Sequence, residues 1–343
     1  MNNPHRSPVF EPGLSLARRF FEEEVTPLLA RLAPGLRYGS ALLGDGSEVL
    51  GYDTAISTDH EWGPRLLLFL SEEDFPAHAV TIVAALDQAL PEYFNGWPTR
   101  FPDQDRPVGV DLDGRAACSA GHGVEVHTVR GWARRQLGAD VGDRKPTAAE
   151  WLALDEQLLL SVTEGAVFRD DLEELQPFRR SLAWFPRDIQ LLKMARLWEN
   201  AAAEMPFVGR AGDVGDDIGS RLICARLAEV VMRLCFLIDE RYAPYTKWFG
   251  SAWSKLPSAV DLAPHLVAAL QADAWQTREA ALGAAFMSLG QHQLEADIPG
   301  AIDPVLKSYF SRPYTVVNAD AMAGALRKAI RDPLLRGVRE EGH

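Results

Sequence analysis

Asp59 and Glu61 stand two residues apart in Ser57-Thr58-Asp59-His60-Glu61-Trp62-Gly63-Pro64-Arg65, which runs directly into the apolar stretch Leu66-Leu67-Leu68-Phe69-Leu70. A carboxylate pair at the mouth of a buried strand costs free energy unless a positive group is near. On an extended segment, residues i and i+2 point to one side. Two hard carboxylates on one side suit Mg²⁺, which binds through one or two carboxylates and completes its shell with substrate phosphates. On this reading the metal is the positive partner. Two Gly-Ser pairs precede the acids: Gly39-Ser40 by eighteen residues and Gly46-Ser47 by eleven. A Gly-Ser turn lets backbone N–H groups approach phosphate oxygens, and the hydroxyl adds a donor. Further along, Gly123-Val124-Glu125-Val126-His127 alternates so that Glu125 and His127 share one face of a strand and the valines the other.

The elements that would position these residues are legible in outline. Residues 14–32, LSLARRFFEEEVTPLLARL, carry apolar side chains at helical spacing and stop at Pro34-Gly35. Residues 36–43 read as a short strand that includes Gly39-Ser40, and 65–70 as a strand buried on both faces. Ser71, followed by Glu72, Glu73 and Asp74, reads as the N-cap of a helix running to about residue 90. Residues 122–129 alternate as a strand, and 147–165 read as one helix ending at Gly165. From about residue 185 the strand signals stop, and four long segments carry helical periodicity. The expected architecture is α/β (α+β). An N-terminal mixed sheet with flanking helices occupies 1–175, and an all-helical domain occupies 176–343.

Composition narrows the function classes. Lys and Arg number 35 against 48 Asp and Glu, so the net charge of −13 argues against non-specific nucleic-acid binding, which needs basic surface. No apolar run is long enough to span a bilayer, and the first residues lack a signal-peptide core, so no membrane association and a cytoplasmic location are expected. The three cysteines, Cys118, Cys224 and Cys235, form no C-x-x-C pair; the last two read as small core residues of a helix. Asp213, Asp216 and Asp217 lack calcium-loop spacing, and Asp216 or Asp217 reads instead as a helix N-cap. Tyr242, Tyr245 and Trp248 read as packing of the helical core.

Gly46-Ser47-Glu48-Val49-Leu50-Gly51, then eleven residues on from the pair Asp59-x-Glu61, resembles the signature of the nucleotidyltransferase superfamily, of which the aminoglycoside-modifying enzymes are members. The phrases LGYDTAISTDHEWGPRLLLFL, FVGRAGDVGDDIGSR and RYAPYTKW look like a little-characterised branch of it, a nucleotidyltransferase-like domain of unknown function. The resemblance would cover nearly the whole chain. It implies that Gly46 and Ser47 hold phosphates, that Asp59 and Glu61 hold Mg²⁺, and that Glu125 is a third ligand or the base that deprotonates an acceptor hydroxyl. It also implies that the helical domain lends a basic group to the triphosphate, for which Lys247 is the candidate, ahead of Arg210 and Arg221. His60 and His127 would stand beside the ligands. The implied reaction moves a nucleoside monophosphate from an NTP, ATP being the expected one, to a small hydroxylated acceptor and releases pyrophosphate, with two metals stabilising attacking and leaving oxygens.

The match has departures. His60 sits between the acids where the superfamily has an apolar residue. Glu61 is one methylene longer than the commoner Asp. Pro64 cannot donate to a strand ladder. Two other readings therefore stay open: a regulatory protein of the same fold that binds nucleotide without turnover, and a metal-dependent phosphohydrolase using the same acids with His127 or His60.

Overall fold

The computed structural model of the chain describes residues 9–59, 62–101, 109–110, 116–117, 121–142 and 144–338, with 59, 109–110 and 116–117 described by their backbone. The chain divides into two compact units, residues 1–183 and 184–343.

The first unit is built on a four-stranded mixed sheet. Its strands are β1 (Gly39–Leu42), β2 (Leu66–Phe69), β3 (Val124–His127) and β4 (Ala166–Asp170), in the order β3-β2-β1-β4. β2 and β3 run parallel, with Leu67 beside Glu125, whereas β1 is antiparallel to both β2 and β4. All four residues of β2 are buried, as its unbroken apolar run requires of a strand covered on both faces. Leu66, Leu68, Val124 and Val126 face α1 (Gly13–Phe20), α2 (Thr26–Leu32) and α3 (Asp74–Ala89) in one hydrophobic cluster. Between α1 and α2 lies a single π turn, Phe21–Val25, so the helical run from 13 to 32 is continuous in path but not in pitch. That extra residue lets adjacent Phe20 and Phe21 both turn inward, Phe20 against Phe94 and Phe21 against Tyr38 and Phe168. Ser71 caps α3 through the Asp74 N–H at 3.0 Å, as the sequence suggests.

The opposite face of the sheet lies under α4 (Val129–Leu137), whose Trp132 meets Phe69 edge-on at 5.9 Å. Residues 147–165 form two helices rather than one: α5 (Ala148–Ala153) and α6 (Glu156–Thr163). The break is capped on its far side by Asp155, whose carboxylate accepts the Gln157 N–H at 2.8 Å. An Asp in that position competes with helical pairing and starts a new helix. α7 (Leu175–Ser181) closes the unit, so position 175 falls at the start of its last helix.

The second unit is a helical assembly of α8 (Arg187–Asp213), α9 (Asp217–Ile238), α10 (Thr246–Trp253), α11 (Ala259–Gln271), α12 (Trp275–Glu295), α13 (Ala319–Ala329) and α14 (Pro333–Gly337). It is not wholly helical. β5 (Leu306–Ser308) and β6 (Thr315–Val317) form an antiparallel hairpin between α12 and α13. Only three residues pair on each strand, too few for alternation to show in the sequence. α8 packs on α9, α12 and α13. At its centre the Trp198 indole donates to Gln293 Oε1 at 2.8 Å. Asp216 caps α9 through the Gly219 N–H at 2.8 Å. Cys224 and Cys235 are buried, and burial pushes each thiol up to about 11. Tyr242 is buried against Trp184 and Phe185, but Tyr245 is exposed and does not join the core.

Candidate functional site

Strand directions bring the Gly46-Ser47 turn and Glu125 to one end of the sheet, while His127 lies toward the other end of β3, beside Phe69. Because β1 is antiparallel to β2 and β2 is parallel to β3, three points lie together: the C-terminal end of β1 and the N-terminal ends of β2 and β3. The glycine turn of residues 44–51 follows β1 at that end, residues 55–59 lead toward β2 there, and Glu125 lies one residue in from it on β3. Gly165, just before β4, sits at the same end, because Leu42 pairs with Ala166. Gly39-Ser40 is part of β1, so Gly46-Ser47 is the pair that occupies a turn.

Local contacts hold that turn on three sides. Gly44 donates to the Ser161 carbonyl of α6 at 2.7 Å, and Gly165 donates to the Val49 carbonyl at 3.0 Å. Glu48, the residue after Gly46-Ser47, is buried and accepts from Arg65 Nε at 2.9 Å and Nη2 at 2.5 Å. Arg65 Nη2 also donates to the Asp45 carbonyl. Gly46 has φ +138, and a Cβ there would fall 2.4 Å from Arg65 Nη2 and 2.6 Å from Glu48 Oε2. Only glycine combines that backbone with that approach.

Asp59 ends a 3₁₀ helix, Ala55–Asp59, rather than lying on an extended segment. Short 3₁₀ turns are common connectors, and this one is stitched by the Thr58 hydroxyl donating to the Ala55 carbonyl at 2.9 Å and by Ser57 Oγ accepting the Thr54 N–H at 3.1 Å. The i, i+2 geometry expected of Asp59 and Glu61 therefore does not begin at Asp59. His60 and Glu61 lie outside the described residues. Asp53 Oδ2 accepts the Trp62 indole N–H at 3.1 Å and the Gly13 N–H at 2.7 Å. Trp62 is buried against Phe10 and Trp97.

Glu125 and His127 share one face of β3, and Val124 and Val126 are fully buried on the other, as the alternation requires. His127 Nε2 is 3.0 Å from Glu125 Oε2, which also accepts from Arg135 Nη2 at 2.8 Å. Their side chains are only 16% and 5% exposed for Glu125 and His127, so the carboxylate sits between an imidazole and a guanidinium under α4. Lys247 belongs to the other unit, on the first turn of α10, with Nζ 4.9 Å over the Trp248 ring. Arg221 pairs with Asp217 and Asp273, and Arg210 lies over Phe207. Among the described residues, no three His, Cys, Asp or Glu side chains gather to hold a metal ion.

Two clefts, of about 570 and 540 Å³, open at the far end of the sheet instead. One lies beside Tyr38 and Arg169, the other beside Glu72, Arg130 and Arg144. Three of the arginines lining them already have carboxylates: Arg169 with Asp171, Arg130 with Asp140, Arg144 with Glu150. The convergence of glycine turn, acidic loop and Glu125 outweighs cleft size in placing the candidate site at the opposite end. Sequence reasoning missed Glu48, Asp53, Trp62 and Arg65. The signal was present in Arg65, a lone cation at the mouth of a buried strand, which needs a carboxylate partner.

Residues 151–249 match the family described as "Domain of unknown function (DUF4037)". That stretch runs from within α5 into α10 and includes Lys247, but not the glycine turn, the acidic loop or Glu125. No curated protein and no solved structure matches the chain. Among the described residues, no helix is long and apolar enough to cross a membrane.

Proposed function

We propose that the chain is a Mg²⁺-dependent nucleotidyltransferase that moves a nucleoside monophosphate from an NTP, ATP first among the candidates, to a hydroxyl of a small molecule. The observation that carries the reading is the shared sheet end of the Gly46-Ser47 turn, the 3₁₀ helix that leads from Ala55 to Asp59 ahead of β2, and Glu125. In it, Gly46 and Ser47 receive phosphate oxygens, and Asp59 and Glu61 take the metal. Glu125 is third ligand or base, with His127 and Arg135 setting its orientation, and His60 stands beside the metal ligands. Lys247 is the basic group of the helical unit offered to the triphosphate.

The test is a thermal-shift titration with ATP, CTP, GTP and UTP, with and without Mg²⁺, followed by an acceptor screen for pyrophosphate release. A ligand at about a hundred times its Kd stabilises the fold by about 2.7 kcal/mol. The expected outcome is a Mg²⁺-dependent shift for one NTP that Asp59→Asn/Glu61→Gln abolishes, and NMP transfer lost in Asp59→Asn. Full transfer by Asp59→Asn sinks the assignment of the metal site.

One observation favours a second reading, nucleotide binding without turnover. Glu125 Oε2 already accepts from Arg135 at 2.8 Å, and a carboxylate so engaged is a poorer base and metal ligand. Pyrophosphate release with any acceptor excludes that reading.

A further inference from the structure

Resting on the nucleotidyltransferase reading, we propose that Arg65 is the cation of the first unit that grips the triphosphate, with Glu48 as the residue that positions it. From residue 38 to residue 99 the chain contains a single Lys or Arg, and it is Arg65. Over the same stretch between β1 and β2 lie Asp45, Glu48, Asp53, Asp59 and Glu61. Within that stretch, Arg65 is the one cation offered to a polyanion approaching the Gly46-Ser47 turn. Metal ions offset part of that repulsion, and Arg65 is placed to offset more.

The side chain is built for presentation rather than for solvent. It is 12% exposed, and its partner Glu48 is 4% exposed. Nε and Nη2 are spent on Glu48 Oε1, and Nη2 also on the Asp45 carbonyl. Among the described residues Nη1 donates to nothing. The guanidinium is therefore fixed through Nε and Nη2 and offers the two N–H groups of Nη1. The would-be Cβ of Gly46, 2.4 Å from Nη2, shows how closely the guanidinium lies under the turn. A guanidinium nitrogen whose orientation is already fixed by a carboxylate can donate charge-assisted hydrogen bonds to a phosphate without further ordering.

Lysine at position 65 keeps a positive charge for Glu48 but has one nitrogen, so no second nitrogen is left to present to a phosphate once the first is held. The experiment measures dissociation constants of Mg²⁺–NTP and of inorganic triphosphate for wild type and Arg65→Lys, together with Tm in the absence of ligand. The expected result is a loss of about ten- to hundredfold for both ligands by the same factor, the size of a charged hydrogen bond. A purely structural contact would lower the ligand-free Tm and leave both constants unchanged. If Arg65→Lys fails to fold, Glu48→Gln/Arg65→Gln removes both charges together and leaves no carboxylate buried alone; it is expected to lose the same affinity. A folded variant of either kind that binds both ligands as tightly as wild type overturns the role of Arg65 while leaving the nucleotide site standing. Wild type that binds no Mg²⁺–NTP removes the nucleotidyltransferase reading itself, and this role with it.

Discussion

At the scale of single residues, the site end of the sheet depends on glycines that nothing else can replace. Gly165 has φ +75, and a Cβ on it would fall 2.2 Å from the Leu42 carbonyl, which cannot move without unpairing β1 from β4. Gly165→Ala is expected to cost about 1–3 kcal/mol from the backbone conformation alone, read as a lower urea midpoint. Because Gly165 also donates to Val49, the variant should loosen the glycine turn and weaken any nucleotide affinity along with stability. Unchanged stability would mean that this junction is not the lock inferred from its geometry. The Glu48–Arg65 pair is the other single-residue lock. A mostly buried ion pair contributes little net stability, but removing one partner strands the other, at about 3–5 kcal/mol.

At the scale of elements, α6 and α7 connect the sheet end to the rest of the first unit. α6 is followed, after Glu164, by Gly165, whose N–H goes to the Val49 carbonyl and not back to the helix, so Arg179 of α7 takes over the last carbonyls. Its guanidinium donates to the carbonyls of Val162 at 3.0 Å, Thr163 at 2.5 Å and Glu164 at 2.9 Å. Burial pushes its pKa down, yet an arginine stays charged and satisfies three carbonyls that helix geometry leaves orphaned. Arg179→Ala is expected to destabilise the chain by about 1–3 kcal/mol, with hydrogen exchange rising first at residues 159–165. Protection unchanged there would show that water replaces the guanidinium without cost. Since Gly44 bonds to Ser161 on the same helix, fraying of α6 should reach the turn that follows β1.

At the scale of the whole molecule, stability should fall at both ends of the pH range for separate reasons. Hydrogen bonds from Arg130 and Arg134 hold Asp140 down to about 2, and the hydrogen bond from Arg144 holds Glu150 down to about 2. Their ordinary values are 3.8 and 4.5. Folded values below unfolded ones give stability that is present above the unfolded values and is lost as pH falls through about 2. Both carboxylates are solvent-exposed, so salt should shrink this acid limb. Burial does the reverse to Cys224 and Cys235, raising each from 9.0 to about 11. Their contribution is complete below pH 9 and is lost as pH rises through 11. Tm measured against pH should decline on both limbs, and Cys224→Ala/Cys235→Ala should flatten the alkaline one. An alkaline limb unchanged in that double variant would assign it to the lysines and tyrosines instead.

The sequence by itself determined the class of each half of the chain, because periodicity and burial are local. The run before Leu70 had to be a doubly covered strand, Val124 to His127 had to split its faces, and Cys224 and Cys235 had to be inside. It also offered candidate residues for chemistry, the Gly46-Ser47 pair, Asp59, Glu61 and Glu125, by their types and spacing. It did not determine where Asp59 would sit, because five residues of 3₁₀ helix have no periodicity to read. Nor did it show the break between α5 and α6, or the hairpin of β5 and β6, where three pairs and a capping aspartate decide against helix. What tertiary structure alone decided is partnership. Strand direction put the glycine turn and Glu125 at one sheet end, and it gave Glu48 to Arg65, Asp53 to Trp62 and Glu125 to Arg135. Those pairs are seventeen, nine and ten residues apart in the chain, and no spacing rule connects them. A charge chooses its partner by distance in space, and that distance exists only once the sheet has formed.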